Sequence, residues 1–286
     1  MQRFDFFSPR SMEEALHCLA EKKERCKIIA GGTDLIPVLR QEDIDPEIIL
    51  GILEIEELRG IREEDRSIRI GSTTSFTEME ESDLLKSHFP CLVQAAASVG
   101  GPQIRNRGTI GGNIANASPA ADVLPAVLAL DGELELRSRG SGVRRMPLAK
   151  AIASPYVTHF QSDEILAGIV IRKCEKGTRG LFEKLGRRNA MARARMNLSI
   201  LLRLDREERI EEIRIAAGAV MPVARRMGDA EKILQGQKPE PSLIESSVEA
   251  MAEEMLRLSG VRWSSGYKAP VLKNIARRLL KQLIEE

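Results

Sequence analysis

A chain of 286 residues, 43% hydrophobic and 30% charged, carries enough apolar sequence for about two domains and is neither a peptide nor a fibre. Its 43 Lys and Arg nearly cancel its 42 Asp and Glu, and the net charge of +1 excludes a global field that would recruit nucleic acid or an anionic membrane. Only 3% of residues are aromatic, so the cores must be aliphatic; no run approaches the ~18 apolar residues of a membrane helix. Cys18, Cys26, Cys91 and Cys174 are scattered, without a C-x-x-C pair or a nearby His pair. No metal or iron–sulfur site is readable from that spacing, and the chain reads as cytoplasmic with reduced thiols.

In chain order, Ser11-Met12-Glu13-Glu14 has the pattern of a capping box and predicts a helix to about Ala20. Residues 27–30 predict a short buried strand, Gly31-Gly32-Thr33-Asp34 a turn, residues 35–40 a helix that tolerates Pro37 in its first turn, and residues 48–50 a second strand. This order fits a small parallel α/β unit over 1–57. Residues 67–71 alternate like a half-exposed strand, and 76–81, 91–99 and 122–130 read as helices. Residues 133–137 and 143–146 form a hairpin around Arg139-Gly140-Ser141-Gly142, followed by a strand at 164–171. The segment 58–176 is thus mainly antiparallel α+β. A polar, glycine-containing stretch at 173–179 suggests a domain boundary. Beyond it come strands at 180–185, 196–204 and 210–220, then helices at 227–234, 243–258 and from Tyr267 to the C-terminus. The last carries Val271, Ile275, Leu279 and Leu283 at helical spacing, a buried packing face.

Two glycine runs stand out, Ile29-Ala30-Gly31-Gly32-Thr33-Asp34 and Thr109-Ile110-Gly111-Gly112-Asn113. A pyrophosphate needs several backbone N–H groups aimed at one point, and residues without a Cβ let the main chain come close enough. There is no G-x-x-x-x-G-K-[ST] and no strand-G-x-G-x-x-G-helix, which argues against a P-loop and a Rossmann dinucleotide site. Singly, each Gly-Gly fits an ordinary turn.

With their flanks, the runs carry a resemblance. Residues 30–37, AGGTDLIP, and 104–122, IRNRGTIGGNIANASPAAD, resemble the FAD-binding medium subunit of the molybdenum hydroxylases, the xanthine dehydrogenase and aerobic carbon monoxide dehydrogenase family. The resemblance spans essentially the whole chain. It implies an α+β fold: a two-subdomain FAD-binding domain of the vanillyl-alcohol-oxidase (PCMH) type over 1–176, then a C-terminal domain over 177–286 with a three-stranded antiparallel sheet and a helical bundle.

The resemblance also implies roles. Ile28, Ile29, Ala30, Gly31, Gly32 and Thr33 wrap the FAD pyrophosphate, with backbone N–H groups and the Thr33 hydroxyl as donors. Asp34 either accepts from loop N–H groups or a ribose hydroxyl, or is a bare helix N-cap. Gly108, Thr109, Gly112 and Asn113 line the flavin and phosphates, and Asn116 offers an amide to ribityl or phosphate oxygens. Asp122 matches a cofactor-binding carboxylate, with a helix N-cap as its other reading. Gly100 and Ile104 line the approach. Ile165 and Leu166 either pack against the isoalloxazine or belong to the core. Lys184 matches the cation that stabilises a reduced flavin. The cations Arg187, Arg188, Arg193 and Arg195 are read as a solvated surface, a docking face or a phosphate contact.

His17, His88 and His159 fit no triad or metal spacing and read as surface or capping residues. No nucleophile or general acid is legible, so no catalytic and no metal-binding residue is assigned. An electron relay needs positioning and electrostatics, not protein acid–base groups. By resemblance, a molybdenum cofactor on a large subunit and two-iron two-sulfur clusters on a small subunit feed this FAD, NAD or another acceptor takes the electrons, and the complex is a dimer of heterotrimers. The rival readings are a self-contained FAD-dependent reductase of the same fold, for which no proton donor is visible, and a scaffold subunit that has lost FAD, against which the intact glycines count.

Overall fold

The computed structural model describes residues 3–41 and 44–285. The N-terminal unit runs β1 (Asp5–Phe7), α1 (Met12–Lys22), β2 (Cys26–Ile29), α2 (Leu35–Arg40) and β3 (Ile48–Gly51). Its three strands form a parallel sheet in the order β1-β3-β2, with β1 as a strand that the sequence pattern did not announce. Helix α1 starts where Ser11 predicts, its hydroxyl accepting from Glu14 N at 3.2 Å. The reciprocal bond of a capping box lands one residue early, from Arg10 N to the Glu14 carboxylate at 3.0 Å.

The middle segment comprises β4 (Ile61–Glu64), β5 (Ser67–Gly71), α3 (Phe76–Glu81), α4 (Asp83–His88), α5 (Pro90–Ala97), α6 (Pro102–Arg105), α7 (Ile110–Asn116), α8 (Leu124–Ala129), β6 (Glu133–Ser138), β7 (Gly142–Pro147), β8 (Ile152–Ser154), β9 (Val157–Thr158) and β10 (Glu164–Arg172). Five of its strands make an antiparallel sheet in the order β4-β5-β10-β6-β7. Here two expectations are corrected. Strand β5 is not half-exposed: Ile68 to Gly71 are all buried, because Arg69 at the polar position turns inward, donating to Glu135 at 3.2 Å and to the Ala167 carbonyl at 3.1 Å. Burial alone would push the Glu135 carboxyl up, but Arg69 and Arg137 outweigh it and hold it below its ordinary range. The helix expected from Asp122 begins at Leu124, with Val123 at its cap position and no side-chain cap, because Asp122 is engaged elsewhere.

The C-terminal segment contributes β11 (Arg179–Leu185), β12 (Met196–Leu204), β13 (Ile210–Gly218) and β14 (Arg225–Arg226), an antiparallel sheet whose fourth strand is a two-residue edge, then α9 (Gly228–Leu234), α10 (Pro241–Ser259) and α11 (Ser265–Glu285). The end of the predicted last helix, Glu286, lies outside the described residues. Period-2 alternation splits β12 between two environments. Met196, Leu198, Ile200 and Leu202 join Leu272, Ile275, Leu279 and Leu283 of α11 in one core, while Leu201 joins Phe182 and the residues of α5 and α8 in another. Asn197 and Ser199, of the same parity as Leu201, therefore meet the middle segment. This alternation brings Asn197 of the C-terminal sheet to Ala121 and Asp122, at the end of the segment that follows the second glycine run.

Candidate functional site

The two glycine runs, 80 residues apart in sequence, touch. Strand β2 ends at Ile29, paired with Gly51, and the chain turns through Gly31 and Gly32. Gly32 has φ +75, a left-handed conformation that side chains disfavour, and its carbonyl accepts from Ile36 N at 3.1 Å as α2 begins. Gly31 lies directly on the other loop: a Cβ there would stand 1.8 Å from the Arg107 carbonyl oxygen and 3.1 Å from Gly108 Cα. Only a residue without a side chain permits this backbone-to-backbone approach.

The second loop is fixed from several sides. Gly108 N donates to the Ile104 carbonyl at 2.6 Å, Gly111 N to the Ser72 carbonyl at 2.8 Å and Ile110 N to the Thr74 carbonyl at 3.0 Å. Thr109 caps α7, its hydroxyl accepting from Gly112 N at 3.1 Å. Gly112 faces outward; a Cβ there would meet only the Thr109 hydroxyl, at 2.9 Å. Asn113 Oδ1 and Ser72 Oγ are buried without a hydrogen-bond partner.

A second group assembles around Asp122. Lys184 Nζ, on β11, donates to Asp122 Oδ2 at 2.6 Å and to the Ser98 carbonyl at 2.8 Å. Asn197 Nδ2, fully buried on β12, donates to Asp122 Oδ1 at 3.3 Å and to the Ala121 carbonyl at 3.0 Å. Burial pushes the Asp122 carboxyl above its ordinary value, and Lys184 and Asn197 only partly offset it. Two residues beyond Ser98, Gly100 carries Ile104 against it, and Ile104 is 40% exposed.

Not every predicted residue joins these groups. Ile28 and Ala30 pack on the core beneath α1, so only their backbones border the loop, whereas Ile29 reaches Gly32 with its Cδ1. Asp34 is exposed at the start of α2 but its side chain caps nothing. Asn116 ends α7, half-buried. Ile165 is fully buried in the cluster of Met12, Leu19 and Leu50, and Leu166 is buried among the residues packed beneath α5 and α8; both occupy core positions. A cavity of about 960 Å³ at the far ends of β5, β6 and β10 is lined by none of the predicted site residues.

A family profile described as the FAD binding domain in molybdopterin dehydrogenase matches residues 2–172, and one described as the CO dehydrogenase flavoprotein C-terminal domain matches residues 181–283. The chain belongs to the family of FAD-binding medium subunits of molybdenum hydroxylases. It is an oxidoreductase subunit with the two-domain architecture of that family. This flavoprotein subunit is 28% identical to the nicotinate dehydrogenase FAD-subunit of Eubacterium barkeri, over 100% of the chain and 98% of the relative. It is 31% identical to the xanthine dehydrogenase FAD-binding subunit of Escherichia coli, over 98% and 97%. Among solved structures, carbon monoxide dehydrogenase from Hydrogenophaga pseudoflava superposes with a TM-score of 0.89 at 29% identity, covering 97% of this chain and 96% of that one.

The local geometry of the flavoprotein subunit fits FAD. The approach of Gly31 to the Arg107 backbone sets the two loops edge to edge, Gly112 leaves the outer side of the second loop open, and two buried oxygens, on Ser72 and Asn113, keep unused hydrogen-bonding capacity. Ser72 and Asn197 were missed at the sequence level. The one available signal for Ser72 was the hydroxyl run Ser72-Thr73-Thr74 at the end of a strand; Thr73 and Thr74 satisfy carbonyls of Leu58 and Gly60, and Ser72 does not. Asn197 carried no local signal.

Proposed function

We propose that this subunit holds FAD between residues 28–34 and 108–116 as the electron-transferring component of a molybdenum hydroxylase. In this reading a large subunit carries the molybdenum cofactor, a small subunit carries two-iron two-sulfur clusters, NAD or another acceptor receives the electrons, and the cytoplasmic assembly is a dimer of heterotrimers. The FAD-binding domain would occupy 1–176 and the C-terminal domain 177–286. The observation that carries the reading is the contact of Gly31 with the Arg107 carbonyl, which sets two glycine loops side by side.

Gly31, Gly32 and Thr33 would present backbone N–H groups to the pyrophosphate, as would Thr109 from the other side; Gly112 and Asn113, whose N–H groups are given to the Thr109 hydroxyl and carbonyl, would line the cofactor by close approach and through the side-chain amide. Ser72 and the Asn113 amide would complete the polar lining. The Asp122–Lys184 pair holds two side chains of opposite charge at a fixed separation, and their field would tune a ring system bound beside them. Bound there, FAD supplies a carrier that exchanges one or two electrons.

Reconstitution of the purified chain with FAD tests the reading. A bound-flavin visible spectrum is the expected result. Absence of flavin absorbance under every loading condition overturns it, and NADH oxidation by the lone chain supports a self-contained reductase instead.

A further inference from the structure

We infer that residues 186–195 and 260–268 form the docking surface for an electron-donating partner subunit, which presents to it an acidic face around an apolar centre. The inference rests on the proposed place of this subunit in an electron-transfer complex.

The first segment is the connection between β11 and β12, the second runs from the end of α10 into the first turn of α11, and they meet where the Arg195 guanidinium lies 5.7 Å from the centre of the Tyr267 ring. Together they hold Arg187, Arg188, Arg193, Arg195, Arg262 and Lys268 and not one Asp or Glu. Nor do the described contacts neutralise them with carboxylates. Arg188 donates to the carbonyls of Ala190 and Met191, Arg262 to that of Ser259 and Lys268 to that of Ala219. The surplus positive field is felt locally: burial, and then the charges of Arg262 and Arg195, hold the Lys268 ammonium below its ordinary value.

Apolar groups stand exposed in the same two segments. Trp263, the only tryptophan, is 93% exposed, Val261 87%, Met191 60% and Tyr267 47%. Single exposed apolar residues are ordinary, but several in one small cationic region mark a contact surface. The composition also selects the kind of partner. Trp, Tyr, Met and Arg are the residues enriched at protein–protein interfaces, while Lys, Asp and Glu are depleted there. This surface has five arginines to one lysine and no acid. A second copy of the same chain would set like charges face to face, which disfavours self-association.

Position ties the surface to the cofactor cradle. The Met191 side chain lies on Gly101, whose Cβ would stand 3.1 Å from Met191 Cγ and Sδ. Gly101 opens α6, which leads through Ile104 into the second glycine loop, and β12 runs from the Arg195 end of the surface to Asn197 beside Asp122. A protein seated here stands beside the loops that would hold FAD, where an electron donor must be.

The test is the triple variant Arg193→Glu, Arg262→Glu, Trp263→Ser, produced in the native host with an affinity tag on the full chain. All three side chains are exposed, so melting temperature and FAD content should match the wild type. The co-purifying subunits should be lost at a working concentration where the wild type retains them. An affinity weakened roughly thirtyfold or more is expected from removing a central tryptophan and reversing two charges. Hydrogen exchange should show residues 186–195 and 260–268 protected in the wild-type complex relative to the free chain. Equal recovery of the complex from variant and wild type overturns the docking surface and leaves the FAD reading standing. A wild-type chain that holds FAD but assembles with nothing overturns both the surface and the complex. Flotation of the wild type with phosphatidylserine vesicles, lost in the variant while the complex persists, reassigns the surface to a membrane and overturns the inference.

Discussion

Replacing Gly31 by Ala adds one methyl group where there is least room for it. The new Cβ would stand 1.8 Å from the Arg107 carbonyl oxygen and 2.6 Å from its carbon, so the loops must part by about 1.6 Å to restore contact at 3.4 Å. The obstructing atoms are backbone, held by the Gly108 and Gly111 hydrogen bonds, and cannot swing away. Overpacking of this kind costs roughly 1–3 kcal/mol of stability, or a melting temperature lower by roughly 2–12 °C for a chain of this size. The effect on FAD is larger. A displacement near 1.6 Å takes N–H groups from hydrogen-bond range to beyond 4 Å, and two lost bonds to a charged phosphate at ~1.5–3 kcal/mol each weaken binding by about 10²–10⁴-fold. Fluorescence titration of the purified variant with FAD, paired with thermal denaturation followed by circular dichroism, measures both. If Gly31→Ala binds FAD within threefold of wild type and melts at the same temperature, the meeting of the two loops is not the cofactor cradle.

Gly112→Val separates fold from binding: its Cβ meets only the Thr109 hydroxyl, so the variant should lose at most that helix cap, about 1 kcal/mol, and still fold by circular dichroism yet carry no flavin absorbance. Lys184→Met leaves the buried Asp122 carboxylate without its cation and should cost about 3–5 kcal/mol in denaturant titration, whereas adding Asp122→Asn should recover a large part of that loss. The Glu164 carboxyl is raised by burial but lowered further by Arg144 and the Gln161 N–H, so its folded value lies below the ordinary 4.5. Its contribution is present above about pH 4.5 and is lost as pH falls through the folded value, so the stability gap between wild type and Glu164→Gln should close on acidification below 4.5. Asp122 acts in the opposite sense: with its folded value raised above 3.8, it contributes stability at low pH that disappears as pH rises through that value. Asp122→Asn should therefore gain relative to wild type between acid and neutral pH in chemical denaturation.

Features written within a few neighbouring residues were legible in the sequence. Ser11 starts α1, Gly31-Gly32 turns the chain after β2, the hairpin of β6 and β7 surrounds Gly140, and Leu272 to Leu283 of α11 face a core, because capping, turn chemistry and periodicity act over one or two turns of chain. The two glycine runs with their flanks were enough to point to the family. Tertiary structure decided which of those residues meet. Arg69 looks like the exposed position of an alternating strand and is buried because Glu135, 66 residues away, offers a carboxylate inside the sheet. Asp122 has the sequence of a helix cap, yet Lys184 and Asn197, 62 and 75 residues on, take its two oxygens. Ile165 and Leu166 are drawn into cores because β10 lies at the centre of its sheet, covered on both faces. A single sequence encodes each partner's chemistry but not its distance from the other. That distance is set when apolar burial folds the chain, and here burial of β12 between two cores fixes its polar face against Ala121 and Asp122.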